Sequence, residues 1–285
     1  MHKLSGGSIH PGASRGAIEH QQLVQLATTP VSDVFRIAVL SLKGGVGKTT
    51  TTIGLGSTFA SLRGDRVIAV DANPDLGTLA QRIPQQTNAT VRDLLLADTI
   101  CRYSDVRKYT SHAPSRLEVL ASERDPATAE TFGETDYRNV VTILQRYYSI
   151  ILTDCGTGLS HSAMNGVLDL ANALVLVSSP AIDGARSASA TLDWLDAHGY
   201  GELVSRTVVV LSGTRPGEPG IDPRQLSQLF LPRTRAVQQI PFDHHLAEGA
   251  EIDLDRLTGQ TRRAFLELAA TVAADFTSTT THPIP

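Results

Sequence analysis

Residues 35–60 decide the fold. They read Phe35-Arg36-Ile37-Ala38-Val39-Leu40, then Ser41-Leu42-Lys43-Gly44-Gly45-Val46-Gly47-Lys48-Thr49-Thr50, then Thr51-Thr52-Ile53-Gly54-Leu55-Gly56-Ser57-Thr58-Phe59-Ala60. The first run is apolar and of strand type, and the last can wind as a helix. Strand, glycine loop and helix in that order are the setting of a phosphate-binding loop. Glycines let the backbone curl until its N–H groups converge on phosphate oxygens. The helix N-terminus behind the loop adds the positive end of its dipole. This reading makes Gly44, Gly45, Val46, Gly47, Lys48, Thr49 and Thr50 the phosphate-binding residues. Lys48 is then the cation on the β- and γ-phosphates, and the Thr49 hydroxyl is a ligand for Mg²⁺.

Further along the chain, apolar strands alternate with helical patterns. Strands are expected at 35–42, 66–71, 117–121, 149–154, 173–178, 206–211 and 236–240. Helices are expected at 48–63, 90–97, 136–147, 161–170, 183–197, 223–230 and 258–276. Such alternation predicts an α/β fold, a doubly wound and mostly parallel sheet with helices on both faces. Ligands in such sheets bind beyond the carboxyl ends of the strands. Residues 1–33 read as a flexible leader with a short helix near 19–26. Residues 34–276 read as the P-loop domain, and 277–285 as a disordered tail.

The 285 residues are 41% hydrophobic, which is ample for one large core. A formal net charge of −4 gives no global basic field for nucleic acid. Two cysteines, Cys101 and Cys155, make no disulfide framework, and a reducing cytoplasm is the expected location. No apolar run approaches the roughly 18 residues that span a membrane, and no signal peptide is visible. Arginine supplies most of the positive charge. Of the four lysines, Lys3, Lys43, Lys48 and Lys108, two fall in the glycine loop. That placement suggests chemistry needing a compact ammonium.

Two further segments carry acids at strand ends. Asp71 follows Arg66-Val67-Ile68-Ala69-Val70, and Asp154 follows Ser149-Ile150-Ile151-Leu152-Thr153. A carboxylate beside a phosphate loop can hold a magnesium-bound water or polarise an attacking one. After Asp154, Cys155-Gly156-Thr157-Gly158 reads as a switch loop whose glycines allow rearrangement.

The strict loop pattern G-x-x-x-x-G-K-[ST] has its first glycine where this chain has Leu42; Lys43 and a glycine pair stand instead. In this the loop resembles the deviant Walker A loop of the ParA/MinD ATPases, and the resemblance spans 35 to about 275. It implies ATP or ADP and Mg²⁺ as ligands, a homodimer in the ATP state, and a Lys43 that acts on the partner's phosphates. It implies catalytic roles for Lys43, Lys48, Asp71 and Asp154, with Thr49, Asp154 and Asp71 around the metal, the last through water. The family's Asp-x-Asp-Pro pattern carries a second acid where this chain has Asn73. An amide can orient water but carries no negative charge. Slow hydrolysis, or reliance on Asp75 or a partner, is therefore expected. Loops at 211–215 and 239–243 correspond to the family's base-contacting loops, which points to Ser212 and Pro241. Turn formation explains those residues equally well.

The stretches 71–79, 154–158, 183–194 and 248–254 resemble more closely the EspI-type ATPase domains of mycobacterial type VII (ESX) secretion loci. Those proteins carry a proline-rich N-terminal half that has no counterpart here. The resemblance implies a partner from a secretion locus. A partition-type motor binding DNA through arginines is a rival reading, and a nucleotide sensor with little turnover is another. Arg102, Arg107, Lys108, Arg116 and Arg124 lie near Tyr103 and Tyr109, an interleaving that can bind nucleic acid or coat a solvated face. Arg224, Arg233, Arg235, Arg256, Arg262 and Arg263 raise the same question in the C-terminal half. The last helix reads as core, because its tail carries no Lys or Arg to make a basic membrane anchor.

Overall fold

The computed structural model describes residues 15–73, 77–123, 132–215 and 220–277. Within them eight strands form one sheet in the order β3-β4-β2-β5-β1-β6-β7-β8. The strands are β1 Phe35–Leu40, β2 Val67–Ala72, β3 Ser111–His112, β4 Glu118–Leu120, β5 Ile150–Cys155, β6 Ala173–Ser178, β7 Val208–Ser212 and β8 Ala236–Ile240. All pairings are parallel except β3 with β4. The helices are α1 Arg15–Ala27, α2 Lys48–Leu62, α3 Val91–Leu95, α4 Tyr103–Val106, α5 Glu134–Leu144, α6 Ser162–Leu170, α7 Ile182–Ala197, α8 Gly201–Ser205, α9 Pro223–Phe230, α10 His244–Ala247 and α11 Gly259–Ala273. The doubly wound, mostly parallel sheet expected from the sequence is the fold.

Successive side chains of a strand point to opposite faces, and both faces here are covered. Ile37, Val39, Leu152 and Val175 enter one core with Ile53, Phe59, Phe265 and Val272 of α2 and α11. Ala38, Leu40, Ile151 and Leu174 enter the other with Tyr137, Val167, Leu192 and Phe230 of α5, α6, α7 and α9. Burial on both faces is why these strands read as continuous apolar runs. β1 lies between β5 and β6, at the point where the chain reverses its direction of travel across the sheet. A crevice opens there beyond the strand ends, and the glycine loop leaves β1 into it.

Helix α2 is written with residues of weak helical preference, five threonines and two glycines among them. Tertiary packing holds it, with eleven of its fifteen residues buried. Thr51, Thr52 and Thr58 donate their hydroxyls back to the carbonyls of Gly47, Lys48 and Gly54, at 2.9, 3.1 and 2.7 Å. A Cβ at Gly54 would overlap the Phe265 ring of α11. Gly54→Ala is expected to destabilise by about 1–3 kcal/mol through overpacking, despite a gain in helix propensity of about 1 kcal/mol. Denaturant unfolding checks this, and a second change, Phe265→Leu, should recover part of the loss. A stabilised single variant would show that the two helices can separate freely.

One expectation needs correction. The sequence reads residues 1–33 as a flexible leader with a short helix near 19–26; the helix is there but runs longer, over the thirteen residues Arg15–Ala27, and is docked on the body. Ala27 is buried, and Leu23 and Val24 pack against the α2/α11 core. Arg63 donates to the carbonyls of Ala27 and Thr29, at 3.1 and 2.7 Å, and Arg263 pairs with Glu19 at 3.2 Å. An apolar stripe with a waiting partner surface explains the docking. Residues 1–14 and 278–285 lie outside the described residues.

Candidate functional site

The phosphate loop turns through two left-handed glycines, Gly45 (φ +75°) and Gly47 (φ +93°). Side chains are strained there. A Cβ at Gly47 would also press on the Ser212 hydroxyl at 2.9 Å. Gly47 is the N-cap of α2, so the helix begins at Lys48 with its free N–H groups facing the crevice.

Lys48 and Asp154 meet at 2.7 Å, both nearly shut off from solvent. The Thr49 hydroxyl donates to the other Asp154 oxygen at 2.7 Å, and the Thr52 hydroxyl lies 3.2 Å from the first. β5 sets this carboxylate beside the loop, because its register places Asp154 against Val39 of β1. On the other side Asp154 is in register with Asp71 of β2.

Asp71 accepts the N–H groups of Asn73 and Leu79, each at 3.1 Å, and so pins the loop that leaves β2. A Cβ at Gly77 would overlap its carboxylate. Burial, and then the neighbouring Asp154 charge, push the Asp71 carboxyl up to about 7, against the pull of the two N–H groups and Lys48. Asn73 is half-buried at the start of this loop. Asp75 lies outside the described residues. Cys155 ends β5 rather than opening the loop after it, and burial pushes its thiol up to about 12. It is therefore a neutral part of the core, and the loop after β5 begins at Gly156.

Lys43 points away from this cluster. Its ammonium contacts Asp183 in the first turn of α7, and the two side chains are 40% and 63% exposed. Hydrogen bonding to Lys43, and then to the Gly184 N–H, holds the Asp183 carboxyl below its ordinary range.

Beside the loop lies a cavity of about 250 Å³. Gly45, Val46, Gly47 and Thr50 form one wall, and Ser212, Thr214 and Pro241 another. The two loops singled out from the sequence therefore border the phosphate loop. Phe242 and Asp243 of the 239–243 loop line it too, as do Ser179 and Phe265, which sequence reasoning missed. Asp243 has a structural task as well. It caps α10 by accepting from the His245 N–H at 3.0 Å, as an Asp before a short helix commonly does. It also accepts from the Thr258 N–H at 2.9 Å, which ties two loops together. The Ser179 hydroxyl is buried without a hydrogen-bond partner.

These residues fit a magnesium nucleotide. Lys48, Thr49 and Asp154 converge at the head of α2, the glycines leave the loop amides open, and an unpartnered hydroxyl lines the adjoining cavity. No described helix is long and apolar enough to cross a membrane. Among the described C-terminal arginines, Arg233 pairs with Asp193 and Asp196, Arg235 with Asp275, Arg256 with Glu248, and Arg263 with Glu19 and Glu267.

Fold and loop together define a P-loop protein with the architecture of the ParA/MinD ATPases. A ParA family ATPase from Chlorobium tepidum superposes with a TM-score of 0.70 at 18% identity, covering 83% of this chain and 98% of that one. The septum site-determining protein MinD of Pyrococcus horikoshii, complexed with Mg-ADP, gives 0.68 at 23% identity over 83% and 94%. The chain belongs to the ParA/MinD-like AAA_31 family of AAA domains, which matches residues 35–197. The ESX-1 secretion-associated protein EspI of Mycobacterium tuberculosis H37Rv is 40% identical over 244 residues, covering 85% of this chain. The chain spans 37% of the length of that relative. A putative MinD of Oltmannsiellopsis viridis is 29% identical over 191 residues, or 67% of this chain and 58% of that protein.

Proposed function

We propose that this chain is a cytoplasmic Mg-ATP-dependent dimerisation switch that hydrolyses ATP slowly and regulates or positions a type VII (ESX) secretion apparatus. The observation that carries the reading is the division of labour between the two lysines. Lys48 is buried on Asp154 at the head of α2 and serves its own phosphate site. Lys43 stands at the surface, held only by an exposed contact. Exposed pairs of this kind are worth about 0–1 kcal/mol, so the phosphates of a second copy can draw Lys43 away.

Within the site, Lys48 and the loop amides bind the phosphates, and Thr49 and Asp154 would hold Mg²⁺. The ion supplies charge neutralisation between the β- and γ-phosphates when bound. Asn73 stands where a carboxylate would press on the attacking water, and turnover well below the roughly 1–100 s⁻¹ of kinases follows. The EspI likeness supports a protein from a secretion locus as the partner. Internal pairing of Arg233, Arg235, Arg256 and Arg263 supports protein over DNA, as does the net charge of −4. The partner would read the surface beside Gly156, including α6 and α7, whose first residue Ile182 is 62% exposed.

Light scattering of the chain with ADP, ATP and a non-hydrolysable ATP analogue, each with Mg²⁺, tests the switch. Dimer in the analogue and monomer in ADP is the expected result. Single-turnover hydrolysis should be slow, and Asn73→Asp should speed it. The same oligomeric state in all three nucleotides would end the dimerisation reading. Salt-sensitive DNA retention by the analogue-bound form would favour a partition motor.

A further inference from the structure

A second cavity, of about 300 Å³, opens at the amino ends of β2 and β4, beside the carboxyl end of α2. It lies at the opposite end of the sheet from the phosphate loop. Glu118, 4% exposed, stands in its wall. The Glu118 carboxylate accepts three hydroxyls, from Tyr103 at 2.5 Å, Tyr148 at 2.7 Å and Thr110 at 2.7 Å. No Lys or Arg among the described residues forms an ion pair with it. Asp65, the other acid here, is matched by both arms of Arg63 at 2.7 Å.

Three guanidinium groups line the same cavity, from Arg66, Arg107 and Arg116. The Arg66 group lies 3.9 Å from the Tyr103 ring centroid and makes no hydrogen bond to the described residues. Arg107 donates through Nη1 to Thr110 and through Nη2 to Gln86, and it contacts His112. Arg116 donates through Nη2 to the carbonyls of Ala60, Ser61 and Arg63, at 2.7, 3.3 and 2.9 Å. Its Nε and Nη1 make no hydrogen bond to the described residues. Its backbone is left-handed at φ +74°, and no other described non-glycine residue has a positive φ. A non-glycine side chain in that region is strained, and such strain persists where surrounding structure imposes it.

With Asp65 matched by Arg63, three guanidinium groups face one carboxylate that hydroxyls already satisfy. We propose that this cavity binds a phosphate group carried by a small molecule. A tetrahedral oxyanion can take planar forks from several arginines at once, whereas a carboxylate has only two oxygens to offer. Beyond the charged wall, Ala60, Gly64 and the Tyr103 ring leave room for a small organic body. The site is distinct from the nucleotide cavity and stands or falls apart from the dimerisation switch.

The test is calorimetry on the full chain saturated with Mg-ADP, so that the phosphate loop is filled. Inorganic phosphate and glycerol phosphate are the probes, with acetate at equal ionic strength as the carboxylate control. Saturable binding of both phosphates and none of acetate is expected. Arg66→Gln should weaken that binding at least tenfold, and Arg66→Gln with Arg107→Gln should abolish it, with ADP affinity unchanged in both. If the double variant unfolds, Arg66→Gln alone decides, since its side chain holds nothing else by hydrogen bonds. Absent binding, equal binding of acetate, or undiminished affinity in Arg66→Gln would overturn the proposal. So would retention on phosphatidic acid vesicles without any response to glycerol phosphate.

Discussion

Lys48→Ala is expected to lose nucleotide binding by at least a hundredfold and to lower stability as well. The affinity loss follows from removing the one buried cation at the head of α2, since truncating a buried hydrogen-bonded charge costs about 2–5 kcal/mol and each 1.4 kcal/mol is tenfold. The stability loss follows from Asp154, 1% exposed, which would be left with the Thr49 and Thr52 hydroxyls and no ammonium. An orphaned buried charge of this kind costs about 3–5 kcal/mol. The two effects separate by adding Asp154→Asn, which should restore the melting temperature and leave binding lost. Lys43→Ala is the contrast. Its contact with Asp183 is exposed and screened by solvent, so the melting temperature should barely move. Nucleotide affinity should stay within about threefold, while ATP-driven dimerisation and hydrolysis disappear if the proposed role in trans holds. Calorimetry and light scattering on the two variants give the answer. Equal loss of binding in both would show that Lys43 serves its own phosphates.

The second large effect is on pH. In the fold, burial and then the Asp154 charge push the Asp71 carboxyl up from 3.8 to about 7. The folded state therefore binds the proton more tightly than the unfolded chain does. Its contribution to stability is fully present below about pH 4 and is lost as pH rises through about 7. A shift of this size corresponds to a few kcal/mol, at about 1.36 kcal/mol per pH unit. Wild-type stability should therefore fall relative to Asp71→Asn across that window, because the amide does not titrate. The comparison cancels the histidines and the acids remote from Asp71, which both proteins share. Asp71→Asn itself starts lower, since its NH₂ group cannot accept the N–H that the second carboxylate oxygen takes from Leu79. The diagnostic is the slope and not the offset. Parallel pH curves for the two proteins would show that Asp71 is ionised throughout.

What the sequence made legible is what short-range pattern encodes. The phosphate loop was readable because its glycines, its two lysines and the strand and helix around it all lie within 26 consecutive residues. Asp71 and Asp154 were readable as acids near strand ends. Their closeness was not, because it depends on β5 entering the sheet between β2 and β1, strands far from it in the chain. Runs buried on both faces carry no periodicity that would give their order. α1 was legible as a short helix near 19–26, but its docking was not, because its apolar stripe means little until α11 is beside it. β3 is two residues long, below any pattern. The contact between Lys43 and Asp183 joins a loop to a helix start 140 residues away, and neither announces the other. The arginine-rich stretch around Tyr103 was visible as composition, but the fold alone shows that its charges surround a hollow.

The placement of β1 between β5 and β6 has a consequence for synthesis on the ribosome. A nascent chain carries its whole glycine loop once residue 50 has been made, yet the strand before it has no neighbour then. Its partners Ile150–Cys155 and Ala173–Ser178 arrive more than a hundred residues later, and Pro241 later still. Loop closure over such separations slows folding. Until then the emerging segment is a glycine-rich tether with two lysines, and ATP in the surrounding solution finds no cradle. Competence to hold nucleotide thus appears only after β5, β6 and the loop that carries Pro241 have all been made.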